Sequence, residues 1–387
     1  MKRNHTIGFD AGSTYANLTG PGNQGRYLID ALATACPRNA FLRVYTPQRL
    51  KNTEYDILSK LDNVEPMEPD GSFWRRHTKL WRAFGVARDA HRGSVELFHG
   101  LDTFLPYGLG KYDIRSVITI RDLIVLRYPS TMNILKRIYT RFKLRSACRR
   151  ADRIIAISEC TKRDLVNLMK IDPEKIDVIY PGFDPRYAQE ISAEAVEAVK
   201  QKYGLPDRYI LNVGTQHARK NIELIISAMD KLSVEIDLVV AGRNTSHTSR
   251  LKRTAKRLSL GDRVHFLDSV TKDELAAIYR GALMLIYPTH YSSFGMPIIE
   301  AMSVGIPVIG ATGSSHEEAG GNAAIYVSPN DSDALAERIE ELLDNEQLRL
   351  EMVRRGHDYV TRFRPEVTAY NILNCYRRIG IDLIDRR

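Results

Sequence analysis

The sequence predicts an α/β protein built as two doubly wound units, each a parallel sheet with helices on both faces. Short apolar runs bounded by turn residues alternate with helical stretches along nearly the whole chain, which is the pattern of parallel strands buried on both sides. The alternation breaks at Pro181-Gly182-Phe183-Asp184-Pro185 and then restarts, so that break is the candidate domain boundary. A length of 387 residues exceeds what one core carries and suits two domains of ordinary size.

Thr6-Ile7-Gly8-Phe9 reads as the first strand. The Gly-rich stretch Gly20-Pro21-Gly22-Asn23-Gln24-Gly25-Arg26-Tyr27 follows, then a helix from about Tyr27 to Ala35. Glycines there let backbone approach a ligand, and a helix start accepts an anion, but the spacing is not that of a dinucleotide fingerprint and equally describes a plain strand–helix turn. Further strands are expected at Phe41–Tyr45, Glu96–His99 and Ser116–Ile120, the last ending at Arg121-Asp122 where open α/β sheets bind ligands. Arg153–Ile157 is another, with Ser158 an N-cap for the next helix, and Lys175–Ile179 closes the series.

The second series opens with Tyr209–Gly214 and continues at Ile236–Ala241, Val264–Leu267, Leu283–Tyr287, Val308–Ile309 and Ala324–Val327. Helices are expected at Asn221–Leu232 and Lys272–Arg280, and the tail from Ser332 is helical in composition. The stretch Tyr287–Glu318 is the most informative. A polar loop of Ser292, Ser293, Phe294 and Gly295 separates a buried strand from a helix that Met296 opens and Gly305-Ile306-Pro307 ends, leaving free N–H groups where an anion would sit.

The net charge of +9 is concentrated in two basic clusters. Arg75, Arg76, Lys79, Arg82, Arg88 and Arg92 interleave with Trp74 and Trp81, and Lys136, Arg137, Arg141, Lys143, Arg145, Arg149 and Arg150 form the second. Cationic stems and aromatics of this kind suit an anionic membrane surface, and equally describe a solvated helix face. No nucleic-acid-binding module accompanies the charge. Cys36, Cys148, Cys160 and Cys375 have neither paired nor metal-like spacing, so they read as reduced thiols of a cytoplasmic protein, and no signal peptide or spanning segment is visible.

Candidate chemistry gathers after the first strand of the second half, in Gly214-Thr215-Gln216-His217-Ala218-Arg219-Lys220-Asn221. A guanidinium fork and an ammonium beside a helix start would hold a diphosphate, although an exposed cationic pair would look the same. Glu300 suits a ribose diol or complements a helix dipole. His99 and His290 read as structural or as lining a binding cleft, and Glu317 and Glu318 as first-turn or loop acids. There is no nucleophile elbow, metal-ligand spacing or P-loop lysine.

With these residues in view, the chain resembles the retaining glycosyltransferases of family four, with the GT-B fold. The resemblance rests on Val213-Gly214-Thr215 through Arg219-Lys220-Asn221, on Phe294 through Met302, on Gly305–Ile309, on Ser314–Glu318 and on Gly321–Ala324. Ile157–Thr161 and Tyr180–Asp184 extend it into the first half. It implies a first Rossmann-like domain (1–184) binding the acceptor, a second (185–365) binding a nucleotide-diphosphate sugar, and a C-terminal helix (366–387) packing back on the first. Transfer would retain configuration and need neither metal nor cofactor, and the acceptor would be a glycan or lipid-linked saccharide of surface polysaccharide or glycolipid synthesis. Arg219 and Lys220 would neutralise the diphosphate and Glu300 would hold the ribose. Gly22 and Gly25 would line the donor from the first domain, and Gly214, Ser292, Ser293, Phe294, Gly295 and Met296 from the second. Two positions depart from the family pattern, both expected to face the transferred sugar: Arg121 stands for a histidine and Ser292 for a glutamate. If both face the sugar, the exchange makes the pocket more positive, which suits a sugar bearing a carboxylate; the alternative is that Arg121 swings out to pair with Asp122 or a phosphate. A catalytically silent nucleotide-sugar-binding scaffold, or another GT-B enzyme such as an epimerase, is the alternative.

Overall fold

A computed structural model describes residues 5–12, 14, 20–47, 57–101, 103–127 and 133–383. The chain divides into two compact units: Met1–Gly182 together with Phe363–Arg387, and Phe183–Arg362.

The first unit holds β1 (His5–Asp10), β2 (Ala40–Tyr45), β3 (Val64–Met67), β4 (Leu97–Gly100), β5 (Arg115–Ile120), β6 (Arg153–Ala156) and β7 (Ile176–Val178). They form one parallel sheet in the order β3-β2-β1-β4-β5-β6-β7, reversing direction of growth at β1 and β4. β3 was absent from the sequence reading for a physical reason. It reads Val-Glu-Pro-Met, and Pro66 removes a ladder donor, which only an edge strand tolerates. The helices that matter below are α1 (Gly20–Ala35) and α2 (Ile134–Arg150). The last helix, Pro365–Arg377, packs on α1, and its Ile372, Leu373 and Tyr376 share a core with Ile29, Leu32, Ile7 and Phe9. The opposite face of the sheet buries Trp81, Phe98, Ile118, Ile120, Leu144 and Ile154.

Two sequence readings change here. The Gly-rich stretch is not a loop ahead of a helix at Tyr27: α1 already begins at Gly20, so Gly22 and Gly25 sit in its first turns. Pro21 next to the start costs nothing, because N–H groups of the first turn have no intrahelical acceptor. The Trp-bearing segment is not one exposed basic helix but a broken run with a π-helical turn at Trp81–Gly85. Trp81 is 1% exposed and donates its indole N–H to Asp89 at 2.7 Å, while Arg82 grips buried Asp10 through two bonds of 2.8 and 2.6 Å. An indole this large stabilises most by burial once its N–H finds a carboxylate.

The second unit has β8 (Tyr209–Val213), β9 (Asp237–Ala241), β10 (Val264–Leu267), β11 (Met284–Tyr287), β12 (Val308–Ala311) and β13 (Ile325–Val327), parallel in the order β10-β9-β8-β11-β12-β13. β8, β11 and β12 are buried along their whole length, as continuous apolar runs require. Helices α3 (Ile222–Met229), α4 (Lys272–Gly281) and α5 (Met296–Val304) position the residues described next.

Candidate functional site

The second unit builds its site at the carboxyl ends of β8 and β11. β8 ends in Gly214 at φ 137°, and a Cβ there would lie 3.1 Å from the Cε and Nζ of Lys220. Only glycine therefore lets the ammonium fold over the turn. The following loop is fastened to the end of β9, with the Gly214 N–H on the Ala241 carbonyl (2.9 Å) and the Gln216 N–H on that of Arg243 (3.1 Å). Gln216 is fully buried and satisfied: Nε2 donates to the Gly242 carbonyl at 2.9 Å, and Oε1 accepts from Thr248 Oγ1 at 2.8 Å. Asn221 takes a left-handed φ of 57° and anchors the start of α3 by donating to the carbonyls of Pro288 (3.1 Å) and Pro329 (2.7 Å).

These bonds fix the two cations. Lys220 is 8% exposed, and its Nζ donates to the Tyr287 hydroxyl at 2.6 Å, 4.5 Å from the ring centroid. Burial alone would push the Tyr287 phenol up. The Lys220 charge and hydrogen bond, a hydrogen bond with Ser292 and the Arg219 charge bring it below its ordinary value. Arg219 is half-buried; its Nη1 donates to the Tyr291 carbonyl at 3.4 Å and its own carbonyl accepts from the His290 N–H at 3.1 Å. Among the described residues neither cation is paired with a carboxylate.

The loop at 292–296 lies against this pair. Ser292 is buried, and its carbonyl accepts from Ser315 Oγ at 2.7 Å. Phe294 is buried, Ser293 and Met296 half-buried, and Gly295 opens α5 at φ 102° with no capping side chain. Pro297 has no N–H and the Ile298 N–H donates to the Gly295 carbonyl at 2.9 Å, so of the first three positions of α5 only Met296 offers a backbone donor to an anion. His316 packs edge-on to Tyr287 at 5.2 Å; its Nδ1 lies 3.0 Å from the Ala311 carbonyl, and its buried Nε2 has no hydrogen-bonding partner. Burial first, and Lys220 besides, hold it down at about 4 against the Ala311 bond, so it is neutral at physiological pH. Tyr287, Gln216 and His316 were not singled out from the sequence. The Ser314–Glu318 segment that holds His316 carries part of the family resemblance.

The remaining candidates belong to the first unit. Gly25 is buried, and a Cβ there would lie 2.4 Å from Thr14 Oγ1 and 3.4 Å from Arg121 Nη2. Gly22 is buried in the same helix start. Arg121, with Gln24, Tyr27, Thr119, Tyr180 and Thr368, borders a cavity of about 50 Å³ whose other side chains are aliphatic. His99 is structural: it is fully buried between Tyr376 Oη and Thr119 Oγ1, each at 2.7 Å, and burial, then Arg121, lower its pKa to about 3.

Comparison with known proteins places this geometry. The model of the glycosyl transferases group 1 family matches residues 196–359, and that of glycosyltransferase family 4 matches residues 24–187. The chain is a family-four glycosyltransferase. The transferase is 27% identical to an O-antigen chain mannosyltransferase B of Escherichia coli over 73% of this chain and 74% of that protein. It is 28% identical to the O-antigen chain mannosyltransferase RfbU of Salmonella typhimurium over 68% and 67%. Its fold matches that of Anabaena HepE solved with UDP and glucose, with a TM-score of 0.75 at 18% identity over 97% of this chain and all of that one. It also matches the sucrose-phosphate synthase of Thermosynechococcus elongatus, with a TM-score of 0.76 at 20% identity over 97% and 99%. The architecture of the transferase is GT-B.

In this glycosyltransferase Glu300 lies in the second turn of α5, beyond the first turn where an acid would complement the dipole. Its Oε2 accepts from Tyr279 Oη at 2.9 Å. Burial lifts the carboxyl to about 7 and nearby Asp184 adds to this, while the Tyr279 bond, Lys272 and Lys220 oppose it. Asp184 is held by Arg186 at 3.0 Å and Lys272 at 3.6 Å, so this end of the site carries a linked acid–base network.

Proposed function

We propose that this glycosyltransferase moves a sugar from a nucleotide-diphosphate sugar to a glycan or lipid-linked saccharide in surface polysaccharide synthesis, with retention of configuration and without a metal ion. The observation that carries the reading is the unneutralised Arg219–Lys220 pair fixed beside the uncapped start of α5. Two cations and the Met296 N–H suit a leaving diphosphate, whose charge grows as the sugar departs. The O-antigen mannosyltransferase relatives support the polysaccharide context, and the Anabaena structure with UDP and glucose supports a nucleotide sugar as donor. Glu300 is assigned to the ribose diol and Gly295 with Ser293 to close backbone approach by the donor. Ser292 removes an anion from the neighbourhood of Lys220, and Arg121 adds a cation to the first unit, so a carboxylate on donor or acceptor sugar suits the protein.

The test is turnover. Mannose-, glucose- and glucuronate-type nucleotide sugars are supplied with a lipid-linked saccharide extract, nucleoside diphosphate release is followed, and the anomeric configuration of the product is read by NMR. Acceptor-dependent release supports transfer. Sugar release or interconversion without acceptor points to a hydrolase or epimerase, and donor binding without release to a scaffold.

Glu300 adds a pH signature. A diol donates best to a carboxylate, and a group with pKa about 7 is only about one-tenth ionised one unit lower. Nucleoside diphosphate affinity is therefore expected to rise up to about tenfold between about pH 6 and about pH 8, with proton release on binding near neutrality. Calorimetry in buffers of different ionisation enthalpy measures both, and Glu300→Gln should flatten the profile. The stability link has the opposite slope. A carboxyl raised in the folded state stabilises it below the unfolded value, and this contribution is lost as pH climbs through about 7.

A further inference from the structure

The second unit carries a basic surface outside the donor site. The helix Thr248–Arg257 holds five Lys and Arg in ten residues and no acid. Thr248, Leu251 and Ala255 turn inward, and Arg250, Lys252, Arg253, Lys256 and Arg257 are exposed. Among the described residues Arg250 alone of the five is paired with a carboxylate, that of Glu223 at 2.7 Å. Like charges four apart on a helix repel, so Lys252 with Lys256 and Arg253 with Arg257 form two rows that cost stability until an anion lies along them.

The first row faces a groove. Lys252, Lys256, Ser259, Asp262 and Phe266 border an open space of about 690 Å³ between this helix and β10. β10 is the outermost strand of its sheet among the described residues, so no strand covers the outer side of the half-buried Phe266. An edge strand also leaves backbone N–H and C=O groups unpaired on that side. Lys252 Nζ stands 5.6 Å from the centre of the Phe266 ring.

We propose that this groove binds a stretch of acidic glycan, a chain bearing uronic-acid carboxylates. A pyranose laid with its C–H face on the Phe266 ring brings a carboxylate within reach of the Lys252 ammonium above that ring. Lys256 follows one turn on, about 6 Å along the helix, close to the length of one sugar residue. Ser259 and Asp262 at the same rim accept hydrogen bonds from hydroxyls, which a glycan supplies. That mixture decides the occupant. A phosphate backbone would meet Asp262 as a like charge, and a neutral glycan would leave both ammonium groups unmatched. A groove of this size takes a short run of chain rather than a folded domain. Thr248, at the start of the same helix, donates to the Gln216 side chain of the donor loop at 2.8 Å, so one rigid helix carries the groove and steadies that loop. The choice of a glycan rests on the proposed role in polysaccharide synthesis, but the site is read by binding alone, so the two fail separately.

Calorimetry of the full chain with a galacturonate hexamer, its methyl ester and an oligothymidylate of equal charge tests it, at about 0.1 M and about 0.5 M salt. Galacturonate is expected to bind more tightly than either control and to weaken at the higher salt. Lys252→Glu with Lys256→Glu should lower its affinity at least about tenfold. Thermal stability should not fall and nucleoside diphosphate affinity should not change, since both side chains face solvent. Lys220→Ala should leave galacturonate binding intact, which separates the groove from the donor site. No binding of galacturonate, equal binding of its methyl ester, tighter binding of the oligothymidylate, full affinity in the double glutamate variant, or loss of binding in Lys220→Ala would each overturn the proposal.

Discussion

Lys220→Ala is expected to lower kcat/KM by about 10³-fold and to weaken nucleoside diphosphate binding by about 10- to 100-fold. A charge-assisted hydrogen bond contributes about 1.5–3 kcal/mol, and a donor aimed at developing charge in a dry site is worth about 10²–10³ in rate. Lys220 meets both conditions, being 8% exposed and held by the Tyr287 hydroxyl at 2.6 Å. Arg219→Ala should cost less, because that guanidinium is half-buried and water screens part of its charge. Tyr287→Phe keeps the ammonium but frees it to turn, so it should affect kcat more than diphosphate affinity. Calorimetry with the nucleoside diphosphate and steady-state rates separate these effects. Unchanged affinity in both cation variants would place the diphosphate elsewhere.

The parts legible in the sequence are those with a local signature. β8, β11 and β12 are buried on both faces and therefore appear as unbroken apolar runs, and α5 is bracketed by Gly295 and Gly305, both with φ above 90°. Arg219, Lys220 and Glu300 could be named because a charged residue beside a strand end has few structural uses. What escaped depends on contacts distant in sequence. Tyr287 looked like one more strand residue until Lys220, 67 residues away, was seen to hold its hydroxyl. Gln216 is an unremarkable loop amide unless Thr248 and the Gly242 carbonyl are brought to it. Trp81 was misplaced because the basic residues around it suggest solvent, whereas Asp89 satisfies its N–H inside the core. On α2 the charges were visible but the exposed arc of Ile134, Leu135, Ile138, Tyr139 and Phe142 was not, since Leu144, Ala147 and Cys148 make the opposite face apolar as well.

Gly242→Ala is expected to destabilise the second unit by about 3 kcal/mol or more and to disorder the loop that carries Lys220. Gly242 follows β9 at φ 149°, and a Cβ there would stand 2.3 Å from the Gly214 carbonyl oxygen and 2.5 Å from its carbon. Neither strand end can yield. The Gly242 N–H is bonded to the Leu267 carbonyl at 3.0 Å, its carbonyl to Gln216, and the Gly214 N–H to Ala241. An L-residue at positive φ costs about 1–2 kcal/mol, and forcing an extra carbon into close-packed surroundings adds about 1–3 kcal/mol. Gly313→Ala is the matched control, with φ 85° and no heavy atom within 4 Å of its Cβ, so it should show the backbone cost alone. Urea unfolding of both variants measures the difference, and equal losses would mean that close approach to Gly214 contributes nothing. The folded fraction of Gly242→Ala should also bind nucleoside diphosphate weakly while that of Gly313→Ala binds normally. The displaced Gly214 is the residue over which the Lys220 ammonium lies, 3.1 Å from where a Cβ would stand.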